Sequence, residues 1–352
     1  LLEQEAKRLK TVPLINERDT RVEAIKKKSK TLVSKYISKL PKFNLMFYFQ
    51  ELMTNFENLK NYGETYWDDD FIKYIRNNSI ENFILNKNIE FEDLAGLLYM
   101  KYKIFGMDKN INTKYIVIDE AQDFSLFQVY CLMKVFNTKM FTLLGDLAQG
   151  IHSYMGIERW TDLLEQVFQG SRGRIITIEQ SYRTTIEIMN FANKILEIGN
   201  ISGVVLAKPV VRHGDEPTIK GFDSIKALID ALDKKIFELE AMKFQTIAII
   251  GKSISECKDI QKSLNKNKGR NIRIIGSEDN TYEGGISIVP SYMAKGLEFD
   301  AVIIISANED YFEDELDIKL LYIAVTRALH KTDVMCCNGN LNILNTIKKT
   351  KP

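Results

Sequence analysis

Cysteine is scarce. The chain has only Cys131, Cys257, Cys336 and Cys337, and none sits in a C-x-x-C pair. Adjacent Cys336 and Cys337 are poorly placed to chelate a metal, so reduced thiols in a cytosolic protein are the expectation. Proline is rarer than usual, at 6 residues. No apolar run reaches the roughly 18 residues that a membrane span needs, and no signal peptide is recognisable. A cytoplasmic location without a membrane role is therefore expected. Charge of one sign is also lacking: 48 Lys and Arg stand against 47 Asp and Glu, a net charge of +1. With no global basic field, contact with nucleic acid would have to use local patches. The chain opens with Leu1-Leu2-Glu3 rather than Met, inside a charged helical pattern, which predicts a fragment.

Apolar material, by contrast, is plentiful. Hydrophobic residues make up 45% of the 352 positions, enough for two or three domains. Residues 1–90 read as helical. Leu9, Val12, Ile25, Leu32, Val33, Ile37 and Leu40 are spaced through a highly charged stretch, as in one or two amphipathic helices. From Leu1 to Leu40, eleven basic residues face five acidic ones, densest at Lys26-Lys27-Lys28 with Lys30. This is either a solvated helix face or a surface for nucleic acid or an acidic partner. After residue 90, short Ile/Val-rich runs alternate with helical segments. Strands are expected at Tyr115–Asp119, Phe141–Gly145, Arg174–Glu179, Pro217–Phe222, Thr246–Gly251, Ile272–Gly276, Ile286–Pro290, Ala301–Ser306 and Asp333–Cys336. Nearly continuous apolar strands separated by helices predict an α/β fold with parallel sheets. A boundary near Glu179–Gln180 separates two groups of motifs.

Five short segments carry the chemistry. Asp119-Glu120-Ala121-Gln122-Asp123 follows a buried strand, where open α/β sheets place ligands. An Asp there can hold hydrated Mg²⁺, and a neighbouring Glu can deprotonate water. Gly145-Asp146-Leu147-Ala148-Gln149 follows the next strand, and its Gln149 suits the sensing of a phosphate. Arg183, in Ser181-Tyr182-Arg183-Thr184, and Arg327, in Thr326-Arg327-Ala328, would each otherwise be an ordinary salt-bridged arginine. As cationic fingers they would stabilise a transferred phosphoryl group. Lys295-Gly296-Leu297-Glu298 lies in a loop between strand segments, where it could approach phosphate and a ribose hydroxyl.

Taken in order, D-E-A-Q-D, G-D-x-x-Q, S-Y-R-T, K-G-L-E-F and L-Y-x-A-x-T-R-A resemble the UvrD/Rep-like helicases of superfamily one, from about residue 91 onward. Phe91–Ala95, Asp123–Ser125, Gly145–His152 and Pro290–Gly296 resemble the HelD branch, which is associated with RNA polymerase. The resemblance implies two RecA-like domains, the first incomplete (91–179) and the second at 180–352, preceded by a helical insertion domain at 1–90. It implies ATP and Mg²⁺ as ligands. Asp119 would bind the metal, and Glu120 would act as the base. Gln149, Arg183 and Arg327 would face the γ-phosphate. Tyr182 would stack on adenine, Glu298 would contact the ribose, and Lys295 and Gly296 would form a coupling loop. Tyr154, His152 and Tyr292 fall where such motors contact nucleic acid. Tyr154 stands in place of a Trp, His152 in place of another aromatic, and Pro290 and Tyr292 in place of a Thr and a His; the pattern fits HelD better than a strand-tracking motor.

RecA-type motors also need G-x-x-x-x-G-K-[ST]. The one Gly-Lys-Ser, at Gly251-Lys252-Ser253, has Thr246 where the first Gly should be and follows the D-E-A-Q-D strand instead of preceding it. It reads as a strand end. About 110 residues separate Arg183 from Lys295, too few for the large extra domain of UvrD-type helicases. The expected function is that of a HelD-like ATPase, a monomeric motor that releases RNA polymerase from nucleic acid. The alternatives are a DNA helicase of repair or replication and a non-catalytic scaffold. On this reading the fragment alone lacks ATPase activity.

Overall fold

The structure, a computed structural model, describes residues 1–39, 43–63, 66–106, 113–152, 156–210, 212–270, 272–276, 284–337 and 347. The chain divides into two compact units, Leu1–Ile104 and Phe105–Pro352.

The first unit is helical: α1 (Leu2–Lys39), α2 (Leu45–Thr54), α3 (Phe56–Gly63), α4 (Asp69–Ser79, continuing into a π-turn at Ile80–Leu85) and α5 (Asp93–Phe105). Asn44 and Asp68 cap α2 and α4 by accepting from the third N–H of each helix. Phe49, Phe83 and Leu97 form a small core, with the Phe49 and Phe83 rings edge to face at 5.7 Å. The expected amphipathic segment is one 38-residue helix. Its spaced apolar side chains, Leu9, Ile25, Leu32 and Ile37 among them, stay exposed. Spacing alone could not show whether a partner covers that stripe.

The second unit begins with a parallel pair, β1 (Ile116–Ile118) and β2 (Phe141–Leu143), joined through α6 (Leu126–Val135). A capping box of Ser125 and Gln128 starts α6. The short α7 (Trp160–Asp162) follows, then β3 (Gln180–Ser181), α8 (Ile186–Gly199) and β4 (Lys208–Pro209), which pairs with β3 in parallel. The rest alternates strand and helix: β5 (Thr218–Phe222), α9 (Ile225–Ala241), β6 (Thr246–Gly251), α10 (Ile254–Lys268), β7 (Arg273–Ile274), β8 (Gly285–Pro290), β9 (Phe299–Ser306), α11 (Glu315–Thr326) and β10 (Ala328–Cys337). β5 to β10 form one sheet in the order β5-β10-β9-β6-β8-β7, with every pairing parallel.

Side-chain alternation splits this sheet into two cores. Ala248, Ile250, Val302, Ile304, Val334 and Cys336 face α8 and α11. Ile247, Ile249, Ala301, Ile303, Ile305 and Met335 face α9 and α10. Both faces being covered is why the central strands read as unbroken apolar runs. The α/β fold with parallel strands and a preceding helical region is therefore as expected.

One expected strand fails. Arg174–Glu179 forms no ladder, and Ile175, Ile176 and Ile178 are exposed. Its β-branched residues have no neighbouring strand to pair with among the described residues, and propensity cannot replace a partner. The short pair β3–β4 lies just beyond it and was not foreseen.

Ile303 sits fully buried in the middle of β9, in register with Ile249 and Asp333. Ile303→Ala should lower unfolding free energy by about 3 kcal/mol, as cavities of this kind do. Urea denaturation of the two forms measures it.

Candidate functional site

Four turns of the second unit meet at the carboxyl end of β1–β2 and the mouth of the larger sheet. At the end of β1, Glu120 adopts a left-handed backbone (φ 51°) and starts a 3-10 turn at Ala121–Asp123. A non-glycine residue there is unusual and is held by its neighbours. The Glu120 N–H donates to Asp119 Oδ1 at 2.9 Å, and the Ala121 N–H donates to the Leu144 carbonyl at 2.8 Å.

Gln122 is the hub of this turn and is almost wholly buried. Its Nε2 donates to Glu120 Oε2 at 2.5 Å, its Oε1 accepts from the Asp146 N–H at 3.1 Å, and its carbonyl accepts from the Ile157 N–H at 3.1 Å. That close fit explains Gly145: a Cβ there would lie 2.2 Å from Gln122 Oε1 and 3.1 Å from its backbone nitrogen. Asp146 in turn accepts from the Ala148 N–H at 3.0 Å and from Gln149 Nε2 at 2.8 Å. The amide of Gln149 is thereby oriented with its oxygen toward the larger sheet.

Arg327 meets that oxygen. At the end of α11 its guanidinium is almost fully buried. Nη2 donates to Gln149 Oε1 at 3.0 Å and to Thr326 Oγ1 at 3.2 Å, and Nε donates to the Ile323 carbonyl at 3.2 Å. Burial, and then the nearby charge of Arg183, pull its pKa down to about 10, so it is still a cation at neutral pH. Burial also raises the Tyr322 phenol, with the Asp146 carboxylate adding to the effect.

Lys295 is the second bridge. Its Nζ lies 2.5 Å from Asp123 Oδ2 and 3.4 Å from Glu120 Oε2. The other carboxylate oxygen of Asp123, Oδ1, is buried with no hydrogen-bond partner. Arg183 pairs with Glu298 at 2.9 Å, both half-exposed. Partial burial pushes the Glu120 carboxyl up. The Gln122 hydrogen bond and the Lys295 charge outweigh this and hold it below the ordinary carboxylate value.

Contacts spanning widely separated segments thus join Glu120 to Lys295, Gln149 to Arg327 and Arg183 to Glu298. Asp119 is exposed at the end of β1, touching its neighbour's amide. The Tyr182 ring is exposed, its hydroxyl donating to Gln180 Oε1 at 3.1 Å. Gly296 has φ 81°, with open space where a Cβ would stand. Tyr292 is exposed and His152 half-buried, while Tyr154 lies outside the described residues. Sequence reasoning assigned no role to Gln122, Asp123 or Asp146. The first two stood inside the quoted D-E-A-Q-D, but an interior glutamine acting as a hub has no pattern of its own.

Lys252 belongs elsewhere. β6 ends at Gly251, as expected, and Lys252 Nζ donates to Asp317 Oδ2 at 2.7 Å and to the Asp310 carbonyl at 2.5 Å. Its charge is used to lock the loop before α11.

Among the described residues no group of three or more His, Cys, Asp or Glu side chains could cage a metal. The set does fit Mg²⁺ held by one carboxylate with phosphate oxygens and water, the form this ion prefers.

Gln122→Ala should remove the hydrogen bond that lowers the Glu120 pKa, so that carboxyl should titrate at higher pH. A depressed carboxylate stabilises the fold above its unfolded pKa, and this is lost as pH falls through the folded value. The variant should also lose about 1 kcal/mol, because the part-buried Asp146 N–H loses its partner. Carbon-13 NMR titration of the carboxyl groups and urea melts check both.

The UvrD/REP helicase N-terminal domain family matches residues 2–159, and the UvrD-like helicase C-terminal domain family matches 285–334. Nothing among curated proteins matches the chain. Of solved structures, the chain is similar to the C-terminal domain of a possible DNA helicase from Lactobacillus plantarum WCFS1, at 33% identity over 47% of this chain and 94% of that one, with a TM-score of 0.39. The second family match spans β8, Lys295, Glu298, β9, α11 and Arg327, and the first spans β1, Glu120, β2 and Gln149. In sequence order, then, the chain carries UvrD-like helicase N- and C-terminal domains, the make-up of the UvrD/Rep superfamily.

Proposed function

We propose that this chain forms the acid–base and arginine side of an ATP-driven motor of the HelD-like kind, which binds RNA polymerase and releases it from nucleic acid. The observation that carries the reading is the hydrogen bond from Arg327 to Gln149, 178 residues away, with Lys295 beside Glu120. These contacts bring the β1–β2 turns to the large sheet, where a triphosphate would sit. In this reading residues 1–90 are a helical insertion domain, 91–179 are the C-terminal half of a first RecA-like domain, and 180–352 are a second.

Each residue then has a task. Glu120, kept anionic by Gln122 and Lys295, takes the proton of the attacking water. Asp119 would hold Mg²⁺, which when bound offsets charge on the β- and γ-phosphates. Gln149, oriented by Asp146, reads the γ-phosphate. Arg327 and Arg183 stabilise the charge that develops on transfer. Tyr182, exposed beside Arg183, supplies a face for the adenine, and Glu298 lies where a ribose hydroxyl can reach it. Lys295 and Gly296 link the nucleotide to the nucleic-acid side, where His152, Tyr154 and Tyr292 lie in sequence. The protein would work in the cytoplasm as a monomer; no helix among the described residues is long and apolar enough to cross a membrane.

No G-x-x-x-x-G-K-[ST] occurs in these 352 residues. The isolated chain should therefore show no ATP turnover above background, and robust hydrolysis dependent on Glu120 would refute this. In a form that includes a phosphate loop, Glu120→Gln should slow hydrolysis by roughly 10²–10⁴-fold while ATP still binds. The partner is tested separately. Co-purification with RNA polymerase, with little stimulation of ATPase by single-stranded DNA, is expected. Strong stimulation without polymerase would instead favour a DNA helicase of repair or replication.

A further inference from the structure

Arg183 and Arg327 are 144 positions apart in the chain, and a third arginine holds the backbone of the first and the backbone two residues beyond the second. Arg212 Nη2 donates to the Arg183 carbonyl at 2.6 Å and to the Leu329 carbonyl at 2.7 Å. Leu329 is two residues past Arg327, where the β9–β10 ladder shifts register between Ala328 and Lys331. The shift takes the Leu329 carbonyl out of the ladder, and the guanidinium of Arg212 satisfies it.

The surroundings fix Arg212 in turn. Its own carbonyl accepts from the Ile186 N–H at 2.9 Å, at the first residue of α8. Thr185 caps that helix by accepting from the Ile188 N–H at 3.3 Å. Gly214 packs so closely on Thr185 that a Cβ would lie 2.6 Å from its methyl. Glu187 then clamps the next turn, accepting from the Gly214 N–H at 2.7 Å and lying 2.7 Å from His213 Nδ1. Residues 212–214 form a clasp over the loop that carries Arg183.

We propose that Arg212 is a positioning residue: one nitrogen, with both of its hydrogens used, sets the spacing of Arg183 and Arg327 so that both guanidiniums reach the same anion. The functional half rests on the nucleotide-cleft reading. The mechanical half rests only on the contacts above. Arg183 is half-exposed, and among the described residues its side chain is ion-paired with Glu298 alone, so its backbone anchor helps set where the guanidinium points. Displacements of about 1 Å at such a group cost large factors in rate or affinity.

The spectra use the 352-residue chain. The Arg183 Nε–H, 2.9 Å from Glu298 in an ion pair, gives a cross-peak in arginine side-chain nitrogen-15 spectra, assigned by its loss in Arg183→Lys. Arg212→Ala should shift or abolish that peak, and Arg212→Lys should restore it in part. In a form that includes a phosphate loop, affinity for Mg²⁺ and N-methylanthraniloyl-ATP, read by fluorescence, should fall about tenfold in Arg212→Ala and in Arg183→Ala, the scale of one lost charge-assisted hydrogen bond. The double variant should fall no further, because both changes act through one group.

An Arg183 peak unmoved in Arg212→Ala, or losses that multiply in the double variant, would overturn the clasp. Should Arg212→Ala fail to fold, Arg212→Gln, too short to reach both carbonyls, carries the same readings. If Arg183→Ala and Arg327→Ala both leave nucleotide affinity unchanged while the peak still depends on Arg212, the cleft reading fails and the mechanical role stands.

Discussion

A buried guanidinium sets the terms for the whole site. Arg327 is taken almost completely out of water, and an ion treated so must be answered by fixed protein atoms. Three of its hydrogen bonds stay at the end of α11 or reach the loop before β9, through Ile323, Thr326 and, at 3.5 Å, the Leu297 carbonyl. The fourth leaves the large sheet and ends on Gln149. Its backbone carbonyl accepts from the Phe299 N–H at 2.9 Å, so the residue is pinned at both ends. Whatever moves β2 relative to β9 has to break or carry this contact.

On the facing side the constraint is the backbone at Glu120. A left-handed glutamate costs on the order of 1–3 kcal/mol, and the turn around it is held in place by Gln122, the Leu144 carbonyl and the Asp119 carboxylate. That turn projects the Glu120 carboxylate toward Lys295 instead of along the strand. The glycine at 145 leaves room for Gln122, so two motifs that look independent in the chain are one packed unit.

The central strands were legible because both faces of the sheet are covered, which forces unbroken Ile/Val runs such as Ile303-Ile304-Ile305. The turns were legible because Gly145, Arg183 and Arg327 stand in short, recognisable strings. What escaped was decided by neighbours. Ile175, Ile176 and Ile178 have strand composition but, among the described residues, no strand beside them. The apolar residues of α1 have helical spacing but no cover. Gln122 and Arg212 act through backbone carbonyls and amides, which any sequence supplies, so no residue pattern marks them.

Every cation at the site already has protein partners: Arg183 has Glu298, Lys295 has Asp123 and Glu120, and Arg327 has Gln149. A triphosphate entering here would exchange those partners for its own oxygens rather than satisfy idle donors. Exchange of that kind is close to balanced, so the difference between the two arrangements, not the total strength of either, decides which one is populated. Glu298 released by Arg183, and Glu120 released by Lys295, would both be freed by the same event. A shared trigger of this sort would let one bound anion reset the contacts between β1–β2 and the large sheet together, which is what a motor needs if hydrolysis is to be felt away from the phosphate.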